Sequence, residues 1–567
     1  MPSPDRTPRP SYVKSLFTGR PATELVLPYP IQTAPDASRT AELAATARRY
    51  LTETYDPWRA ERDGWVGDDT VRDLGELGLT GLFVEERFGG AGLSQTGYCR
   101  VMEEFGRVDG TLAVVMGVHQ SIGTKPIHLF GTEDQKARWL PDLAAGRKLA
   151  AFALTEPNVG SDAYHVETWA ERQADGSWLL NGEKRWIGNG DRDVLTVFAR
   201  SDLGHVALVV EGGTEGVETG PRFETVGLKA NRLQRVRFTD VRVPAENLLG
   251  EPGDGFRIAM ATLNNGRMSM GTAIAGGMKT FLKLSVEHAT ARHQFDHPLI
   301  EFELVADKLG WMSAQIYGLE ALSYLTTGLV DSGVADYSME SALTKVVASD
   351  TGWYALNRAI QLHGGDAYMD DHPLAKALRD FRIFPIFEGA NDVLRALVSL
   401  NGLKAVGAEL EPLARLGKGG VAGAARTLAP YVRDRAVRTV RPPRLAGVHP
   451  TLTRESAAIA GQTAHLRAAT EKAVTRFGRS VQDRQLVQRH LFTAAAGITA
   501  QTAVVGRLSG AIERGDATME TERVLAALFL TESALSVEAA FRALEADPRG
   551  AREGARVTRQ AGRYPLD

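Results

Sequence analysis

The sequence predicts an α+β protein, mainly helical, in which a β domain sits between two helical regions and a further helical block follows. Three observations carry this. Apolar residues recur at helical spacing over about residues 40–146, short strand-like runs broken by turns fill about 150–249, and helical periodicity returns from Gly255. The length of 567 residues suits about three or four domains.

Composition narrows the class. A hydrophobic share of 43% with 24% charged residues is that of a globular protein with a sizeable core. With 66 Lys+Arg against 69 Asp+Glu, the net charge of −3 carries no basic excess for nucleic acid. The lone Cys99 excludes an intrachain disulfide and any CxxC site. No apolar run reaches the roughly 18 residues of a membrane span, and the Pro-rich N-terminus lacks the apolar core of a secretory signal. An intracellular protein is expected.

In chain order, residues 1–39 read as an irregular arm. A helical domain follows over 40–149, with Leu43, Ala47 and Leu51 on one face and a capping box at Thr132 and Gln135. The β domain, 150–250, holds the runs Trp178-Leu-Leu, Val194-Leu-Thr-Val-Phe, Val206-Ala-Leu-Val-Val and Val236-Arg-Phe. Asp175-Gly176 and Asn181-Gly182 read as turns flanking one strand. A helical bundle spans 251–403, and a Gly- and Arg-rich linker spans 404–455. The last block, 456–567, shows helical patterns near 456–477, 481–512 and 519–545, with Val487, Leu491, Ala494 and Ile498 as one buried stripe.

Familiar motifs fail. Gly417-Lys-Gly419-Gly-Val-Ala422 matches a dinucleotide fingerprint only in spelling, because it sits in the linker and not between a strand and a helix. Gly276-Gly-Met-Lys279-Thr280 misplaces the lysine of a phosphate loop, and HExxH and GxSxG are absent. His119, His293 and His363 are scattered, which suits core or surface roles.

Four segments carry polar and glycine residues that make poor core filler: Phe152-Ala-Leu-Thr155-Glu156-Pro-Asn-Val-Gly160-Ser161-Asp162; Asn181 through Trp186-Ile187-Gly188-Asn189-Gly190; Arg292-His-Gln294-Phe295, inside a helical region; and Arg379 through Phe387-Glu388-Gly389-Ala390-Asn391-Asp392. In this order they resemble the acyl-CoA dehydrogenase family, nearest its very-long-chain branch. The likeness extends to Lys14-Ser-Leu-Phe-Thr-Gly19, His119-Gln-Ser-Ile-Gly123, Leu263-Asn-Asn-Gly-Arg267, Gln361-Leu-His-Gly-Gly365 and the helical extension.

The resemblance implies a helical N-terminal domain, a middle β-barrel domain, a helical bundle and a C-terminal helical extension. It also implies α,β-desaturation of a medium- to very-long-chain acyl-CoA to the trans-2-enoyl-CoA. Removing a weakly acidic α-proton calls for a carboxylate held out of water, where its basicity rises. Glu388 matches the family's base, and its backbone N–H is implied to polarise the thioester carbonyl. The hydride acceptor implied is FAD. Phe152, Leu154, Thr155, Gly160 and Ser161 match its first cradle, and Trp186, Ile187 and Gly188 its second, with Ala390 and Asp392 beyond the base. Arg292, Gln294, Phe295, Gln361, Gly364 and Gly365 match positions that reach the FAD of a neighbouring subunit, which implies a homodimer. Ser161, Asn264, Asn265, Gly266, Arg267, Phe387 and Gly389 match substrate contacts.

Two departures stand out. Gly188 replaces a Thr or Ser whose hydroxyl meets flavin N5, and Ala390 replaces a Thr. The first raises an oxidase that uses oxygen as the alternative to a dehydrogenase passing electrons to an electron-transferring flavoprotein. A non-catalytic respiratory assembly protein of the same fold and a carrier-protein thioester are further alternatives. The small residues of Leu112-Ala-Val-Val-Met-Gly117 resemble a deep pocket floor. Arg433, Arg435, Arg438, Arg441 and Arg444 suit either a solvated connector or an anionic membrane surface. The expected compartment is the bacterial cytoplasm, or the mitochondrion of a eukaryote.

Overall fold

The computed structural model describes residues 11–414, 444–546 and 549–562. They fall into two compact units, one of residues 30–393 and one formed by residues up to Tyr29 together with those from Leu394 onward.

The first described element is α1 (Tyr12–Phe17), whose first turn is capped by the Ser11 hydroxyl accepting the Lys14 N–H at 3.1 Å. Helix α2 (Ala34–Glu53) already starts at residue 34, because Pro35 fixes a helical φ in the first turn where its missing N–H costs nothing. Helix α1 lies inside the segment read as an irregular arm and α2 begins within it, so that reading is corrected.

The first unit continues with α3 (Pro57–Asp63), α4 (Asp68–Glu76), α5 (Gln95–Val108) and α6 (Gly110–Gly117). A π-helical turn (Val118–Thr124), α7 (Lys125–Phe130) and α8 (Glu133–Ala144) follow. The capping box that opens α8 forms as expected, Thr132 and Gln135 each satisfying the other's backbone N–H. Buried His119 joins the π turn to the first strand. Its Nδ1 accepts the Ala150 N–H at 3.1 Å, and its Nε2 donates to the Leu143 carbonyl at 3.0 Å.

Strands β1 (Ala150–Ala153), β2 (Trp169–Arg172), β3 (Trp178–Gly188), β4 (Val194–Ser201), β5 (Gly204–Glu211), β6 (Val217–Thr219), β7 (Leu233–Val243) and β8 (Leu248–Leu249) form one mixed sheet. Its order is β6-β7-β3-β2-β4-β5-β8, with β1 parallel to β4. No ladder joins β6 to β8 among the described residues, so the implied barrel is an open one. Asn181-Gly182 is not a turn but part of β3. The register against β7 shifts between Leu180 and Gly182, a bulge in which Asn181 Oδ1 accepts the Asp240 N–H at 2.9 Å.

Helices α9 (Gly255–Ala291), α10 (Glu303–Asp331), α11 (Ser338–His363) and α12 (Pro373–Phe381) complete the first unit. Helix α9 stops before the third segment. Arg292 is its C-cap, and β9 (His293–Gln294) and β10 (His297–Pro298) pair across a turn in which Phe295 and Asp296 have φ of 53° and 64°. The helical context expected for Arg292, Gln294 and Phe295 is corrected accordingly.

Helix α13 (Asn391–Ala414) runs eleven residues into the segment read as linker, because Val406 is still buried there and holds the helical face. In the second unit it joins α1, α14 (Thr453–Phe477), α15 (Gln485–Arg514), α16 (Met519–Glu545) and α17 (Arg549–Ala561). There Phe17 packs over Gly402, whose Cβ, if added, would meet the ring at 2.3 Å, and Tyr12 donates to the Thr502 hydroxyl at 2.8 Å. Helix α16 is long and apolar enough to cross a membrane by length and composition, although Glu532 and Glu538 interrupt it. That corrects the expectation that no segment reaches this length. Arg433, Arg435, Arg438 and Arg441 lie outside the described residues; Arg444 is exposed.

Candidate active site

The fourth segment builds a tight turn between α12 and α13. Glu388 and Gly389 take φ of 57° and 93° in succession, left-handed conformations that only glycine adopts without cost. Lys345, fully buried on α11, holds the turn by donating to the Gly389 carbonyl and to Asn391 Oδ1, both at 2.8 Å. Asn391 in turn donates to Ser349 Oγ at 2.9 Å and Asp350 Oδ1 at 2.8 Å. A non-glycine residue held left-handed by so many bonds is what functional sites display.

The turn presses the Glu388 carboxylate against α9 at Gly266. A Cβ there would stand 2.9 Å from Glu388 Oε2 and 2.9 Å from Ile122 Cγ2, so only glycine leaves the space. Next along α9, Arg267 donates through Nε to the Glu388 carbonyl at 3.0 Å and through Nη1 to Asn264 Oδ1 at 2.8 Å. Asn265 faces elsewhere, donating to the Ala261 carbonyl and the Tyr337 hydroxyl. Glu388 Oε2 is buried without a hydrogen-bond partner, and the Glu388 N–H finds no acceptor among the described residues. Burial pushes the Glu388 carboxyl above the ordinary Glu range, against the opposing pull of Arg267 and Lys345.

The first two segments meet on the sheet. Phe152 on β1 and Leu154 just after it are buried, Thr155 is half-buried, and Gly160 and Ser161 are exposed. Thr155 accepts the Arg185 N–H at 2.8 Å, which ties the first segment to β3. At the end of β3, Ile187 points into the sheet core. Trp186, with φ of 58°, stands 49% exposed beneath the Arg185 guanidinium at 4.5 Å. Gly188 is half-buried against Val118 of the π turn and Asn231. Ala390 is half-buried beside the Glu388 turn, and Asp392 is exposed in the first turn of α13.

Arg292, Gln294, Phe295, Gln361, Gly364 and Gly365 are not brought to this cluster. They sit exposed at the far ends of α9 and α11, Phe295 at 86%. Arg292 is 26 residues along α9 from Gly266, about 39 Å at 1.5 Å per residue.

Residues 38–147, 151–241 and 253–403 match the N-terminal, middle and C-terminal domains of acyl-CoA dehydrogenase, and 450–555 match the ACAD9/ACADV C-terminal domain. The very long-chain specific acyl-CoA dehydrogenase of Macaca fascicularis is 36% identical over 555 residues, 95% of this chain and 85% of that one. The chain belongs to the acyl-CoA dehydrogenase family. The acyl-CoA dehydrogenase of Bacillus anthracis, solved with FAD, superposes with a TM-score of 0.81 at 29% identity, covering 94% of this chain and 91% of that one. A chain solved in work on the electron transferring flavoprotein of Acidaminococcus fermentans matches at TM-score 0.62 and 31% identity, over 65% of this chain and 98% of its own.

The cofactor of this acyl-CoA dehydrogenase is FAD. Two features of the chain suit a planar, polar-edged ring. Trp186 is a large indole left half uncovered, and Asn231 Oδ1 is buried with no hydrogen-bond partner. Motif reading missed Lys345, Gly266's role as a seat for the carboxylate, and Asn231. A lysine in the apolar run Ser341-Ala-Leu-Thr-Lys345-Val-Val-Ala was a usable signal; the other two depend on tertiary contact.

Proposed function

We propose that Glu388 abstracts the α-proton of a medium- to very-long-chain acyl-CoA, giving the trans-2-enoyl-CoA, in an enzyme that works as a homodimer and delivers electrons to an electron-transferring flavoprotein. One observation carries the reading: a carboxylate seated on Gly266, buried, unpartnered at Oε2 and raised in pKa beside an unused backbone N–H. FAD, when bound, supplies the acceptor for the β-hydride. The chain's own work is the rest. The Glu388 N–H polarises the thioester carbonyl and so acidifies the α-carbon. Arg267 fixes the backbone on which that N–H sits, and Phe387 and Ile122 exclude water from the carboxylate. Phe152, Leu154, Thr155, Ser161, Trp186, Ile187 and Gly188 would hold the flavin.

Distance supports the dimer. Residues some 39 Å along α9 cannot touch the flavin of their own chain, yet Phe295 and Tyr368 stand exposed beside them as if to meet another surface. The electron-transferring partner is supported by the family and by the Acidaminococcus fermentans likeness.

Chain length is supported by a cavity of about 250 Å³ lined by Gly110, Ala113, Ala273, Ile274, Gly277 and Phe384. Phe384 packs edge-on against Phe387 at 5.3 Å, next to the base. A Cβ at Gly110 would meet nothing within 4 Å, so residue 110 faces open space. Filling it with Gly110→Phe is expected to lower kcat/KM for a sixteen-carbon acyl-CoA by about 10- to 200-fold and leave a six-carbon substrate near wild type. Equal loss on both would dismiss the cavity as the acyl site. An anaerobic titration of the bound flavin with acyl-CoAs of increasing length tests the whole reading, and no bleaching at any length would end it.

Gly188 favours one second reading, an oxidase. Repeating turnover in air decides: peroxide formed at the rate of turnover would displace the dehydrogenase.

A further inference from the structure

Where β3 ends, residue 188 has no side chain, and the space over it belongs to Asn231. The carboxamide Oδ1 lies 3.2 Å from where a Gly188 Cβ would stand, with Val118 Cγ2 at 3.4 Å on the same point. Asn231 is 5% exposed, and its Oδ1 is buried without a hydrogen-bond partner among the described residues. A buried acceptor left unmet is costly, and native proteins meet it with water or a ligand. The position is not loose. The Asn231 N–H donates to the Leu228 carbonyl at 2.9 Å, and the Leu228 N–H donates to Asp380 Oδ1 at 2.6 Å. Asp380 itself is gripped by Lys376 at 2.6 Å, and Lys376 also bonds Asp109 at 2.8 Å. A buried charge network therefore fixes the loop, with Leu228 in a left-handed conformation, so that Asn231 reaches the end of β3.

We propose that Asn231 makes the side-chain hydrogen bond to the central ring of the flavin that residue 188 cannot make, and so helps set the flavin potential. The inference rests on the flavin site proposed above. A carboxamide suits the task, since one swing of the group offers either an acceptor or a two-proton donor. Oxidised flavin N5 needs a donor and reduced N5–H an acceptor. Gly188 and Asn231 thus act as a pair: the missing Cβ makes room, and the amide fills it with a polar group.

The test is the midpoint potential and visible spectrum of the purified holoenzyme. Asn231→Ala is expected to shift the reduced-to-oxidised ratio about tenfold toward oxidised flavin, about 30 mV for a two-electron couple, with a change in the flavin absorption bands. The double variant Asn231→Ala/Gly188→Ser is expected to recover most of the shift, because the vacated amide gives a serine hydroxyl room. The single Gly188→Ser, crowded at 3.2 Å by the amide, is expected to bind FAD less well than the double. A potential and spectrum for Asn231→Ala equal to wild type would overturn the inference and leave the flavin site standing. If Asn231→Ala folds by circular dichroism but loses FAD, the double variant decides: regained FAD supports the pair, and continued loss overturns it. Wild-type protein free of flavin would instead defeat the site itself.

Discussion

Glu388→Gln is expected to fold, to hold FAD at the wild-type ratio, and to lose bleaching of the flavin by acyl-CoA, with the reductive rate down by at least 10²- to 10⁴-fold. Glutamine keeps the shape that fits over Gly266 and can still be shielded by Ile122, but it cannot take a proton. The wild-type pH profile should show the same group. Burial raises the folded pKa of Glu388, and the base works only when ionised, so kcat/KM falls as pH drops through a value above the ordinary ~4.3 of glutamate. The sign for stability is the reverse of the usual carboxylate. A raised folded pKa favours the protonated form, so stability is lost as pH rises from the unfolded value through the folded one. Glu388→Gln removes that buried charge and is expected to be no less stable than wild type at pH 7. Wild-type bleaching by the variant, in stopped flow without oxygen, would remove Glu388 from the chemistry.

How far the sequence led depends on whether a feature is local. The helical face of Leu43, Ala47 and Leu51 and the capping box at Thr132 depend on neighbours three or four residues away, and both are in place. Glu388 stood out as the candidate base because its glycine and aromatic flanks are contiguous with it. The Asn181-Gly182 pair was not, since the same dipeptide serves a turn or a bulge, and only pairing with β7 decides which. Pro35 was a start signal for α2 that the Pro-rich surroundings disguised. The seat of the carboxylate on Gly266 joins residues more than 120 positions apart, and Asn231 meets Gly188 across a loop. No periodicity encodes such contacts. They arise because the helices and strands bring those backbones together, and they are the parts of the site that pattern reading leaves blank.

The largest expected effect on stability lies beneath the first of the four polar, glycine-rich segments. Lys184 on β3 is fully buried, and its ammonium donates to Glu156 Oε1 at 2.7 Å, to the Phe198 carbonyl at 2.6 Å and to the Leu154 carbonyl at 3.1 Å. Glu156 is equally enclosed and accepts the backbone N–H groups of Glu167 and Thr168 as well. Burial would push the Glu156 carboxyl up, but Lys184 and those donors more than offset it and hold the group below the ordinary glutamate range. One lysine on β3 thus ties β4, the Leu154 carbonyl and the Glu156 carboxylate together, and a reciprocal pair of bonds between Glu156 and Val159 closes the loop that leads to Ser161. Lys184→Met leaves a buried carboxylate without its cation, which costs about 3–5 kcal/mol. The expected readings are a lower denaturant midpoint and a fall in bound FAD, because Leu154 and Thr155 lose their anchor. Adding Glu156→Gln to Lys184→Met should restore part of the stability, since removing the charge along with its partner relieves the unpaired ion. For the wild type, a carboxyl with a lowered folded pKa gives stability that is full above the unfolded value and lost as pH falls through the folded one. The Glu156 contribution should therefore fade below about pH 4.5. A Lys184→Met protein that unfolds within 1 kcal/mol of wild type and keeps its flavin would show that the pair holds neither the sheet nor the loop.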